Sequence, residues 1–131
     1  MGETRPLTVR AQRRMLRLRT HLGRSTAVRY LDTLSAALKP LGYRAVRLYR
    51  PDEFPVALPA FWEPFLWVYV PGPRSHVGTV VNARAVPNQM WAYHEARRGR
   101  HGYLSPCGDV KAAAEEVDKL LKDRMYPGNP W

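Results

Sequence analysis

Apolar residues recur along this chain with two different periods, and the switches between them mark out its elements. In "TVRAQRRMLRLRTHLGR", residues 8–24, Ala11, Met15, Leu18 and Leu22 stand at i, i+4, i+7 and i+11. That spacing draws one narrow apolar stripe down a helix. Arg10, Arg13, Arg14, Arg17 and His21 fall away from the stripe and Arg19 flanks it, so the segment is a basic amphipathic helix. One reading is a solvated helix with this stripe docked on the rest of the chain. Gly23 is the expected stop, with Ser25 or Thr26 as cap of the next helix.

A second helix is predicted from Thr26 to Lys39, where Val28, Leu31, Leu34 and Leu38 keep the helical period until Pro40 and Gly42 end it. The period then becomes two. Strands are expected over 43–50, 65–70, 76–86 and 90–96, with "YLS" at 103–105 as a short return. From Asp109, a cap, to Arg124 the helical period resumes, burying Val110, Ala113, Val117, Leu120 and Leu121. Short turns between strands, with helices at both ends of the chain, predict an α+β, two-layer fold. Its parts are N-terminal helices, a three- to four-stranded mainly antiparallel sheet and a C-terminal helix. The expected organisation is a basic amphipathic helix over 1–24, an α+β domain over 25–124 and a Pro/Gly/aromatic tail over 125–131.

The strand "FLWVYV" is apolar on both faces. Leu66, Val68 and Val70 suit the side beneath the helices, which leaves Phe65, Trp67 and Tyr69 on the other. If Tyr49, Trp91 and Tyr93 share that second side, with Arg47 at its edge, they form a platform on which single-stranded bases stack. The plainer expectation is that the Pro-punctuated connection 51–64, carrying Phe54, Phe61 and Trp62, folds over it.

Charge sharpens the picture. The chain has 131 residues and a net charge of +10, and its first 50 residues hold 12 of the 21 basic residues against only Glu3 and Asp32. The remainder is balanced. Such asymmetry points to a polyanionic partner: nucleic acid, an anionic membrane surface or an acidic protein. Seventeen of the basic residues are arginine, a bias that does not by itself explain the clustering. Five prolines between Phe54 and Pro73 exclude a membrane-spanning helix there. One cysteine, Cys107, excludes an internal disulfide and fits a reducing, cytoplasmic setting.

Candidate chemistry is sparse. Arg10, Arg13, Arg14 and Arg17 are the expected phosphate contacts, helped by Arg97, Arg98 and Arg100 on a hairpin tip. His94 and His101 flank that tip without a third ligand, so no metal and no cofactor are expected. Cys107 precedes a helix cap, where a thiol can be activated. No catalytic partner accompanies it, and a small buried residue is the simpler reading. No Gly-rich phosphate loop is present.

The runs "LWVYV", "HVGTVVNARAV", "MWAY" and "YLSPCGDVKAAAEEV" resemble a loose group of small, uncharacterised actinobacterial proteins over about residues 60–121. The resemblance implies the strand–strand–strand–helix order and no activity. The expected function rests instead on the charged first helix, outside the matched region: non-enzymatic nucleic-acid binding of low sequence specificity. The alternative is a protein–protein adaptor using Trp62 in the 51–64 loop and Trp131 in the tail, with a thiol enzyme third.

Overall fold

The computed structural model describes residues 6–50 and 63–126, with side chains described from Val9 onward except at positions 99 and 100. Helix α1 (Pro6–Leu22) and helix α2 (Arg24–Leu38) are followed by strands β1 (Arg44–Leu48), β2 (Phe65–Tyr69), β3 (Gly78–Val86), β4 (Met90–Glu95) and β5 (Tyr103–Pro106), and by helix α3 (Val110–Met125). The strands form one antiparallel sheet in chain order, β1-β2-β3-β4-β5. It has five strands rather than three to four, because "YLS" pairs with β4 despite its shortness, across an irregularity at Tyr93/His94.

Local chemistry accounts for most of the element ends. Asp109 caps α3, its carboxylate accepting the Ala112 amide at 3.0 Å. Gly42, at φ 94°, ends the turn after α2 in a conformation that costs glycine little. Between α1 and α2 the chain turns at Gly23 alone, with no side-chain cap from Ser25 or Thr26. A Cβ at Gly23 would meet the Trp91 ring at 2.5 Å, so glycine is there to let Trp91 approach the helix junction.

Helices α2 and α3 cover one face of the sheet. Leu31, Leu34 and Leu38 of α2 and Ala113, Val117 and Leu121 of α3 meet Leu66, Val68, Val81 and Tyr93 in a continuous core. Full burial of each Leu or Val contributes about 1.5–3 kcal/mol. The strand register fixes which aromatics share this face. Trp67 lies opposite Val46 and Val80, whereas Ala85 lies opposite Trp91 and Ala83 opposite Tyr93. Phe65, Trp67 and Tyr69 thus sit on the face away from α2 and α3, and Trp91 and Tyr93 on the covered one.

The expected common platform is therefore split. Tyr93 donates its hydroxyl to the Tyr30 carbonyl of α2, and Tyr49 donates to Asp32. Of that expected platform, Trp67 and Tyr69, with ring centroids 5.3 Å apart, form an aromatic pair on the outer face. Of the loop expected to cover that face, Phe54, Phe61 and Trp62 lie outside the described residues, as does Trp131.

Helix α1 does not dock by its apolar stripe. Strand β2 pairs with β3 only as far as Val81, leaving the rest of β3 without a strand on that side. There the last turns of α1 take over. The Ala85 amide donates to the Thr20 hydroxyl at 2.9 Å, and Arg19 donates to the carbonyls of Val86 and Met90. An open sheet edge needs hydrogen-bond partners, which an apolar stripe cannot supply. Met15, Leu18 and Leu22 consequently face solvent, at 63%, 51% and 73% exposure.

Candidate polyanion interface on the first helix

Two stripes run side by side along the solvent face of α1. The apolar one is Ala11, Met15, Leu18 and Leu22; one residue earlier at each step, about 100° around the helix, lie Arg10, Arg14, Arg17 and His21. Arg13 is two turns before Thr20 and so on the docked side. It is exposed all the same, as is Val9, because the N-terminal half of the helix has left the sheet. Arg10, Arg13, Arg14 and Arg17 are all exposed, and among the described residues none of them makes an ion pair or hydrogen bond. From Arg10 to Arg17 the ridge spans about 10 Å, roughly three nucleotide steps along one strand.

Some other basic residues of the first half are engaged within the fold. Arg24 donates to the Tyr49 carbonyl, and Arg47 pairs with Asp32 at 3.3 Å. Arg19, which sequence spacing placed beside the apolar stripe, is a sheet-edge ligand. Arg97 and Arg98 are exposed on the 3-10 segment Ala96–Gly102, which also carries Arg100. That segment follows the Glu95 end of β4, while the C-terminal turn of α1 binds at the Met90 end. Five residues of strand separate the ends by about 17 Å, so this second basic spot does not merge with the α1 C-terminus.

The outer face of the sheet holds a polar cluster that sequence periodicity did not single out. Asn82 donates to the Glu63 carboxylate, and Arg84 lies 3.9 Å from it. Asn82 is directly opposite His94, whose ring meets Tyr103 edge-on at 5.7 Å. Burial pushes the Glu63 carboxyl above its ordinary value, with Arg84 and Asn82 opposing. Burial pushes His94 below its ordinary value, against its contact with the Ala92 carbonyl. The alternation of β3 placed Asn82 and Arg84 on one face, but a strand register was needed to set His94 beside them.

His94 and His101 do not converge: His94 is buried against Tyr103 and His101 is exposed. No group of three or more metal-ligating side chains occurs among the described residues. Cys107 is buried, and desolvation pushes its thiol up to about 12, away from the lowered range that activates a nucleophile. No described helix is long and apolar enough to cross a membrane. No protein-family model, curated protein or solved structure matches the chain.

Proposed function

We propose that this protein binds nucleic acid through α1, without catalysis and with low sequence specificity. The observation that supports the reading is the row of unpaired arginines. Arg10, Arg13, Arg14 and Arg17 stand in solvent without a carboxylate among the described residues, on a helix whose last turns hold the sheet edge. A cationic ridge held this way can follow a phosphate backbone, and it has no side chain set up to read base edges. Arg97 and Arg98 form a separate contact point, on a hairpin end away from the α1 C-terminus.

A second reading rests on the apolar stripe. Anchors at i, i+4, i+7 and i+11 match a helix laid into a hydrophobic groove, with the arginines meeting an acidic rim. On that reading the protein is an adaptor for an acidic protein partner.

Salt separates the two. Fluorescence anisotropy of labelled single- and double-stranded oligonucleotides is measured against salt for the full chain and for a variant with Ala at Arg10, Arg13, Arg14 and Arg17. Four phosphate contacts give a log K against log salt slope of about −0.9 per contact on duplex or about −0.7 on single strands, and the variant flattens it. Absence of binding at low salt removes the nucleic-acid reading and leaves the apolar stripe as the surface to test.

A further inference from the structure

The other edge of the sheet is open in a different way. β1 is the terminal strand and pairs only with β2. Its residues are exposed or half-buried throughout, and among the described residues no strand pairs with its outer edge. An unpaired strand edge is a row of backbone donors and acceptors ready to accept another chain. Native edges are usually covered; β3's is, by Thr20 and Arg19, whereas β1 has no such cover among the described residues.

Beside this edge runs a groove of about 760 Å³. Its far wall is one stripe of α2, formed by Asp32, Ser35, Ala36 and Lys39 at i, i+3, i+4 and i+7. Its near wall is β1 itself; Arg47, opposite Leu66, lies on this helix-covered face, whereas Arg44, opposite Tyr69, lies on the outer one. Ser35 and Ala36 are small and leave the trough wide. Lys39 makes no ion pair among the described residues, and Arg47 has Asp32, through an exposed contact that a competing carboxylate can replace. Asp32 itself accepts the Tyr49 hydroxyl at 2.9 Å. The groove therefore offers two cations, Lys39 and Arg47, against one occupied carboxylate.

On the opposite face the same edge presents Val46, 37% exposed, with Trp67 beside it at 42%. A strand added outside β1 would point alternate side chains at the two faces. One set would enter the basic groove against α2; the other would lie on Val46 and Trp67.

We infer that the β1 edge and the α2 groove form a second binding site, which takes an extended peptide of alternating acidic and apolar residues as a sixth strand. Backbone hydrogen bonds supply the attachment, and the cationic groove with the Val46–Trp67 surface supplies the selection. The site uses none of the α1 arginines and stands whether or not α1 binds nucleic acid.

The test uses the full chain and a fluorescein-labelled peptide of alternating Glu and Val, with two twins N-methylated at every second residue in opposite registers. Antiparallel pairing engages alternate residues of the added strand. One twin should lose binding and the other keep it; equal binding by both, or loss in both, overturns strand addition. Lys39→Glu with Arg47→Glu, both on exposed residues, should weaken the parent peptide by roughly tenfold or more. An unchanged affinity overturns the selection argument. Ala at Arg10, Arg14 and Arg17 should leave the peptide affinity alone, and a loss there moves the site to α1 and overturns the proposal. Concentration-dependent dimerisation that protects β1 amides from exchange without peptide also overturns it, since the edge would then be occupied by a second copy.

Discussion

The Thr20 hydroxyl accepts the backbone amide of Ala85 across 65 residues of chain, at 2.9 Å, in the place that strand β2 vacates after Val81. This one contact decides how the N-terminal helix sits. Both groups are buried, so the Ala85 amide has no water to turn to when the hydroxyl is removed.

Thr20→Val, which keeps shape and removes the acceptor, is therefore expected to cost about 1–3 kcal/mol, while Thr20→Ser costs less. Urea unfolding of the two variants checks the difference. Amide exchange at Ala85 should speed up in the valine variant and not in the serine one.

Arg124 donates to the Glu95 carboxylate at 2.6 Å and also holds the Gly78 carbonyl, tying the last turn of α3 to the sheet. Glu95 is fully buried and takes a second bond from Thr79, while its other oxygen is unpaired among the described residues. Arg124→Ala leaves that carboxylate without its cation and is expected to cost about 3 kcal/mol, towards the low end for a broken buried pair because Arg124 is partly exposed. The same change made on top of Glu95→Gln should cost clearly less. Chemical denaturation of the four proteins in a double-mutant cycle gives the coupling directly.

His94 and Glu63 oppose each other in pH dependence. The folded chain holds His94 neutral, below its ordinary 6.5, so the unfolded state takes up its proton first as pH falls. Its contribution is complete above about 6.5 and is lost downward from there. Glu63 titrates above its ordinary 4.5 when folded, so its contribution is complete below that value and is lost as pH rises through the window above it. His94→Phe should flatten the fall in stability below pH 6.5, and Glu63→Gln should steepen the net acid loss. Unfolding free energies measured from pH 5 to 7.5 give both slopes.

Cys107 should be inert in the folded protein. Its thiol is buried and pushed up to about 12, so almost none is thiolate at pH 8. Iodoacetamide is expected to label it only after denaturant unfolds the chain. Rapid labelling of the native protein would bring thiol chemistry back.

Much of the fold was legible in the sequence because local periods report it. The stripe of Leu31, Leu34 and Leu38 needed a cover, and the sheet is that cover. Asp109 was recognisable as a cap because a carboxylate before a helical run has free amides within reach. The division of "FLWVYV" into a helix-facing set and an outer set followed from the alternation of a strand. The fifth strand was undercounted, since four residues carry too little pattern to separate a strand from a turn.

What one period cannot tell is which side of an element the tertiary structure uses. The sequence by itself determined that α1 is a helix with an apolar stripe and a basic ridge, and that the chain's excess charge lies in its first half. Only the tertiary structure decided that this helix docks by Thr20 and Arg19 and leaves its leucines in solvent. It also decided that Trp91 and Tyr93 lie beneath α2, away from Trp67, and that Asn82 meets His94 and Glu63. The physical reason is common to all three. Periodicity is a property of one segment, whereas an unfilled sheet edge, a strand register and a buried polar pair exist only between segments distant in sequence.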